Sequence, residues 1–269
     1  MVNPKVLILS GYGINCEEEM AYAFEKYGAS AELVHVNDLI DGLKKFDDYQ
    51  ILGIPGGFSY GDDTGAGKAM ANRIVNNLRE QILKFVQGDK LAIGICNGFQ
   101  VVTALGLAPA LDGKYGKRQS GLMANESNRY TCRWVNLKTE SKKCVWTKGV
   151  ENLFVPIAHG EGNFYMPEAM LKELQANDQV VFKYVKEDGT PASGEYPDNP
   201  NGAILDIAGI CDGSGRVLGL MPHPERHLFF HNRPDFTLLK EKYLREGKAL
   251  PEEGEGGQIF KNAADYFQM

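Results

Sequence analysis

A cysteine stands between two glycines in Gly94-Ile95-Cys96-Asn97-Gly98, after the apolar run Leu91-Ala92-Ile93 and before Phe99-Gln100-Val101-Val102. A buried strand, a tight turn and a helix start in that order make a nucleophile elbow, with sulfur in the place of a serine oxygen. The glycines permit the strained turn and leave room around the side chain. The N–H groups opening the next helix point at the sulfur and favour its thiolate. A packing cysteine would satisfy the same five residues, so the reading needs a partner for Cys96.

That partner is offered near the other end of the chain. The apolar run Val217-Leu218-Gly219-Leu220-Met221 leads into Pro222-His223-Pro224-Glu225-Arg226. A histidine at a strand end can take a proton from a thiol, and a carboxylate two residues on can accept its other ring N–H and stabilise the imidazolium. The alternatives for this segment are a surface histidine and a metal site, since His227 follows closely. Pro224 prevents the helical i, i+4 ligation that a metal commonly uses, and no second Cys/His group has ligand spacing, so no metal is expected.

Together the two motifs resemble the class I, triad-type glutamine amidotransferases. Ile54-Pro55-Gly56-Gly57-Phe58-Ser59-Tyr60-Gly61-Asp62, Ala158-His159-Gly160-Glu161-Gly162-Asn163-Phe164 and Met221–Arg226 are similar to one branch, the glutaminase components of phosphoribosylformylglycinamidine synthases. The resemblance runs from about Lys5 to Arg226. It departs at Asp63-Thr64-Gly65-Ala66-Gly67-Lys68, which is closer to the version fused in long single-chain synthases, and again after Pro234.

The resemblance implies a reaction. Cys96 would attack the carboxamide carbon of L-glutamine, His223 would carry protons, and Glu225 would orient His223. The backbone N–H groups of Asn97 and of the Pro55-Gly56-Gly57 loop, Gly57 above all, would hold the oxyanion. Gly56, Gln100, Asn125, Ser127 and Arg129 are the candidates for contact with the substrate, the last three in a segment that also reads as a polar turn. His159 and Glu161 would line the site or touch a synthetase. The ammonia would pass to a large ATP-dependent synthetase subunit, with a small accessory subunit, in purine biosynthesis. Other readings are a glutaminase for a different synthetase, a related cysteine hydrolase, and a non-catalytic regulatory module.

Composition is compatible with this chemistry. A chain of 269 residues with 43% hydrophobic residues can bury a sizeable core. A net charge of −6 and no Lys/Arg block argue against a nucleic-acid partner. No apolar run reaches spanning length and Met1–Lys5 carries no signal pattern, so no membrane is expected and a cytoplasmic location is. The 5 cysteines are widely spaced, with no C-x-x-C. That suits a reduced compartment with one reactive thiol, Cys96, and four packing residues.

The elements that must position these groups alternate as β and α in the first half. Strands are predicted at Val6–Ser10, Leu33–Val36, Ile51–Ile54 and Leu91–Ile95. A helix is predicted over about Cys16–Tyr27, capped by Asn15 with Glu18 closing a capping box, and another over Lys68–Gln87. The second half reads as strands at Thr131–Lys138, Leu153–Ala158, Val180–Val185, Ile204–Ile210 and Val217–Met221. The expected fold is therefore α/β: a mostly parallel central sheet flanked by helices, flavodoxin-like, with an antiparallel β extension and the site at the strand carboxyl ends. Residues 1–233 are expected to form the amidotransferase domain and 234–269 a C-terminal extension. Within it Lys248–Gln258 reads as a linker or exposed loop and Ile259–Phe267 as a docking helix or a disordered end.

Two phosphate motifs fail. In Gly11-Tyr12-Gly13-Ile14-Asn15-Cys16 the third glycine of a dinucleotide loop is Cys16. Gly67-Lys68 has Asp62 where a P-loop needs glycine and Ala69 where it needs a hydroxyl. No cofactor is expected in this chain, and ATP and Mg belong to the partner.

Overall fold

Three uninterrupted apolar runs, Ile51–Ile54, Leu91–Ile95 and Val217–Leu220, are buried along their whole length, as strands covered on both faces must be. In the computed structural model, which describes residues 3–62 and 64–268, these strands lie side by side. The readings that touch Met1, Val2, Asp63 and Met269 fall, at those residues, outside the described ones.

In chain order the elements begin with β1 (Lys5–Ser10), α1 (Glu17–Lys26), β2 (Ser30–His35), α2 (Val36–Ile40), β3 (Ile51–Ile54) and α3 (Lys68–Gln87). Next come β4 (Leu91–Ile95), α4 (Asn97–Ala104), β5 (Gly121–Met123), β6 (Thr131–Thr139), β7 (Asn152–His159) and β8 (Asn163–Tyr165). The chain continues through α5 (Glu168–Ala176), β9 (Val180–Val185), β10 (Ile207–Cys211), β11 (Val217–Leu220), α6 (Phe236–Arg245) and α7 (Gly257–Tyr266).

The main sheet has the order β2-β1-β3-β4-β11-β10-β9-β6-β7, and β5 pairs with β8 in a small second sheet. From β2 to β11 the neighbours are parallel; from β11 onward through β10, β9, β6 and β7 they are antiparallel. The antiparallel extension is thus continuous with the parallel half, and β11 returns from it to pair with β4. Helix α3 buries Ile74, Leu78, Ile82, Phe85 and Val86, the face that its periodicity predicts, with Val75 at the margin.

Three local expectations are corrected. Asn15 does not cap α1: the cap position is Cys16, without a side-chain cap bond. The N–H groups of Asn15 and Cys16 instead donate to the Gly56 carbonyl at 3.3 and 3.2 Å, and the start of α1 rests on Glu17, Glu18 and Glu19 facing its dipole. Ile204–Ile210 is not one strand: Ile204–Asp206 is a 3-10 turn, with Leu205 and Asp206 at φ 52° and 60°. The Asp206 carboxylate fixes that turn by accepting from the Ser193 and Gly194 N–H groups, each at 2.8 Å. Strand β2 ends at His35, because Val36 opens α2 with the His35 ring accepting from the Asn37 N–H.

The C-terminal segment ends in a packed helix. In α7, Ile259, Phe260, Ala263 and Ala264 are fully buried, Phe260 meets Phe24 edge to face at 5.0 Å, and the Asn262 amide donates to the carbonyls of Trp146 and Lys148, both at 2.8 Å. In contrast, α6 buries no residue.

Candidate active site

Adjacent parallel strands deliver their carboxyl ends to one edge of the sheet, so β3, β4 and β11 bring Gly56–Gly57, Cys96 and His223 together. Cys96 occupies φ 54°, ψ −109°, a conformation that L side chains rarely adopt and that marks a nucleophile elbow. Its N–H donates to the Leu220 carbonyl at 2.8 Å, tying the elbow to β11. Gly98 allows α4 to start against β3: a Cβ there would lie 1.8 Å from the Ile54 carbonyl oxygen.

His223 follows β11 and is anchored by its own N–H, which donates to the Pro156 carbonyl of β7 at 2.8 Å. The turn Pro224–Arg226 then folds Glu225 back, so that its carboxylate lies 2.6 Å from His223 Nδ1. Both side chains are buried, and His223 Nε2 makes no hydrogen bond of its own. Burial alone would lower the imidazole pKa, but the charges of Glu225 and Cys96 outweigh it and raise the value to about 10. Over Gly56 the two catalytic candidates converge: a Cβ built there would lie 2.8 Å from His223 Cε1 and 3.4 Å from Cys96 Cβ. His227 stays out of the cluster, its Nδ1 being 2.7 Å from the Phe154 carbonyl oxygen.

Cys16, assigned by sequence to packing, lies at the site. Its thiol donates to Asn15 Oδ1 and accepts from the Arg226 guanidinium at 3.0 Å. Burial, reinforced by the Glu225 charge, pushes its pKa up to about 12. Among the described residues, Cys16, His223 and Glu225 form the one group of potential metal ligands within 4.8 Å of one another. The His223–Glu225 hydrogen bond already occupies part of that donor set. Arg226 also reaches Glu19 of α1 at 3.7 Å, so Cys16, Arg226 and Glu19 support the turn from the α1 side. No sequence motif marks Cys16; the signal is its N-terminal place on the helix beside the Pro55-Gly56-Gly57 loop.

The other candidates fall into two sets. Gln100 and Asn97 are buried and bonded to each other, Nδ2 of Asn97 to Oε1 of Gln100, at 2.8 Å. Asn97 also reaches Asp62 at 3.3 Å, and Gln100 donates to the Glu161 carbonyl at 2.7 Å. The Glu161 carboxylate in turn accepts from the Ala66 N–H at 3.2 Å. This polar chain joins the loop after β3, the start of α4 and the loop after β7 around the cysteine.

The second set is structural in its contacts. Asn125 Nδ2 donates to the carbonyls of Arg129 and His159, each at 2.9 Å, and its Oδ1 accepts from the Gly162 N–H at 3.0 Å and lies 3.1 Å from His159 Nδ1. Its amide is committed inside the protein, while Ser127 and Arg129 are exposed on the turn that it holds. Burial pushes the His159 pKa down to about 3, with the nearby His223 adding to the effect, so this imidazole is neutral.

Comparison with known proteins agrees with this geometry. A profile of the CobB/CobQ-like glutamine amidotransferase domain matches residues 3–267. The phosphoribosylformylglycinamidine synthase subunit PurQ of Methanococcus maripaludis is 56% identical over 267 residues, covering 99% of this chain and 98% of that protein. The protein of the same name from Archaeoglobus fulgidus is 39% identical, covering 98% and 97%. A chain from the structure of PurLQS from Thermotoga maritima superposes with a TM-score of 0.73 at 28% identity, covering 99% of this chain and 100% of that one. A glutamine amidotransferase structure from the same organism, at 15% identity and TM-score 0.57, shares the fold.

Proposed function

Because this chain belongs to the CobB/CobQ-like glutamine amidotransferase family, we propose that it is the glutaminase subunit of a phosphoribosylformylglycinamidine synthase, working through Cys96, His223 and Glu225. The observation that carries the triad is the delivery of an elbow cysteine and a 2.6 Å His223–Glu225 pair to neighbouring parallel strand ends.

Cys96 sulfur attacks the side-chain carboxamide carbon of glutamine, and the carbonyl electron pair moves onto oxygen. The N–H groups of Asn97 and Gly57 receive that oxyanion. With the Gly56 carbonyl held by two N–H groups of the α1 loop, the Gly56–Gly57 peptide is fixed in direction, and its N–H points away from those donors. Removing one oxyanion donor typically costs about 3 kcal/mol in the barrier. His223 gives its Nε2 proton to the leaving nitrogen, ammonia departs, and the γ-glutamyl thioester remains. His223 then takes a proton from water, whose oxygen attacks the thioester and releases glutamate. Glu225, bonded to Nδ1, keeps Nε2 facing the sulfur and stabilises the imidazolium.

Ammonia released into neutral water becomes ammonium and loses its nucleophilicity, which favours direct transfer to a synthetase. The synthetase subunit would supply ATP and Mg, a small accessory subunit would complete the assembly, and the location would be cytoplasmic. Among the described residues no helix is long and apolar enough to cross a membrane. Gln100, Gly56 and the exposed Ser127 and Arg129 remain the proposed substrate contacts, while Asn125 and His159 shape the loops behind them.

The test is Cys96→Ala in the assembled synthase. Glutamine-dependent activity should vanish while activity with ammonium salts survives. A glutamine-analogue diazoketone should add its mass to the Cys96 peptide. Labelling confined to Cys132, the exposed thiol, would overturn the assignment.

A further inference from the structure

The segment just before α7 lies directly behind the catalytic turn. The Gly256 N–H donates to the His227 carbonyl and the Gly254 N–H to the Leu228 carbonyl, both at 2.9 Å, and the Phe230 N–H donates to the Glu252 carbonyl at 3.1 Å. Residues 252–256 therefore pair with the chain that leaves the Pro224–Arg226 turn, rather than hanging free as a linker. Gly256 sits closest. A Cβ there would lie 2.0 Å from the Pro224 carbonyl oxygen and 2.9 Å from Pro224 Cα. Its φ of −70° is open to any residue, so what the position requires is the missing side chain.

Two acidic side chains hold this strap at its ends. Glu255 accepts from the Phe154 N–H of β7 at 2.5 Å and pairs with Arg233 at 3.2 Å. Glu253 accepts from Tyr27 and pairs with Lys26 at 2.8 Å. Beyond the strap, α7 is buried against Phe24 and Trp146, so the strap cannot withdraw without uncovering core. The same strand β7 that Glu255 grips supplies the Pro156 carbonyl to the His223 N–H and the Phe154 carbonyl to His227.

We propose that residues 252–256 are a positioning strap for the catalytic turn, with Gly256 as the positioning residue that sets the Pro224 backbone and Glu255 as its anchor to β7. This rests on the triad reading above. Glu225 reaches His223 only because the three-residue turn between strand end and strap is held to its shape. A shift of the Pro224 peptide moves the carboxylate and the imidazole relative to Cys96, and misplacement of about 1 Å can cost about 100-fold in rate.

The experiment compares Gly256→Ala, Glu255→Ala, His223→Ala and Leu238→Ala in the full chain, assembled with its synthetase. Readouts are glutaminase kcat and KM, and the pH profile of iodoacetamide addition to the Cys96 peptide, followed by mass spectrometry. Leu238 is exposed on α6 and its variant should match wild type. Gly256→Ala should lower kcat by about 100-fold with KM little changed. It should also slow alkylation of the Cys96 peptide about 10-fold at neutral pH. Ammonia-dependent synthesis should be unaffected. A folded Gly256→Ala with wild-type turnover and alkylation profile overturns the strap. If that variant does not fold, Glu255→Ala is held to the same two readouts and decides the matter, with a smaller expected loss. If His223→Ala leaves the alkylation profile unchanged, the triad itself fails, by a different result, and the strap with it.

Discussion

Gly56→Ala is the most direct probe of how tightly the site is packed. The added methyl carbon would lie 2.8 Å from His223 Cε1, 3.1 Å from Cys16 Sγ and 3.4 Å from Cys96 Cβ. Carbon atoms settle near 3.5–4.0 Å, so the imidazole or the loop must give by more than half an ångström. The loop resists, because the Gly56 carbonyl is bonded to two N–H groups and Phe58 N–H donates to the Gly13 carbonyl at 2.7 Å. The imidazole resists less, having one strong partner in Glu225. His223 should therefore move, and a displacement of this size should lower kcat on the order of 100-fold, equivalent to about 2.7 kcal/mol in the barrier. The thermal midpoint should fall by only a few degrees. Gly57→Ala gives the contrast. Gly57 has φ 152°, and its Cβ would meet Gly13, Ile14 and Asn15 backbone at 2.7–2.9 Å, so that variant should lose stability as well as turnover. The assay is glutamate release by the assembled synthase, with ammonia-dependent synthesis as control and thermal melts alongside. A Gly56→Ala enzyme with wild-type kcat would refute the convergence of His223 and Cys96 over this glycine.

The further predictions concern the two histidines His223 and His159. His223→Ala should lower glutaminase kcat on the order of 10³-fold, within the range of general acid–base contributions. Glu225→Gln keeps an acceptor for Nδ1 but loses the charge, so it should cost less and move the His223 titration, read by NMR, to lower pH; an unmoved titration would deny Glu225 its role. Because the folded His223 pKa is raised to about 10, its stabilisation is full below the unfolded value of about 6.5 and is lost as pH rises toward 10. The urea-stability gap between wild type and His223→Ala should narrow over that window. His159 has the opposite sign. Held neutral with a pKa near 3, it makes folding less favourable as pH falls below about 6.5, and His159→Gln should flatten that acid limb. His159→Ala also removes one of the two groups bonded to Asn125 Oδ1, at a cost of about 0.5–1.5 kcal/mol in denaturant stability. Loss of glutamine-dependent kcat in His159→Gln as severe as in His223→Ala would show that His159 is chemical rather than structural.

What the sequence made legible is what depends on strand ends. Apolar runs of four or five residues marked β3, β4 and β11, and the residues just past them, Gly56, Cys96 and His223, had to share an edge once the strands were parallel neighbours. The antiparallel turn back toward the main sheet was legible at β10 and β11, whose connection, residues 212–216, is too short for a parallel crossover. Asn15 was misread because local pattern cannot compete with a tertiary acceptor. The helix-capping rule assigns its side chain to α1, whereas the fold spends the N–H groups of Asn15 and Cys16 on Gly56, and backbone donors carry no residue-type signature.

The same limit explains why the support of the triad was invisible while the triad was not. Cys96, His223 and Glu225 must be particular residue types because their chemistry demands it, so their types announce them. Whatever holds them in place needs only to fill or vacate space. Cys16 does so with a thiol that could be read as packing, Asn125 with an amide that could be read as a ligand, and Gly256 with an absent side chain that reads as loop composition. Each acts through a partner more than thirty residues away: Cys16 on Arg226, Asn125 on His159, Gly256 on Pro224. The Cys16 and Gly256 contacts come from the two ends of the chain and meet at the turn after β11, while Asn125 holds the loop after β7. A catalytic turn assembled from such distant segments is complete only when the whole chain is folded.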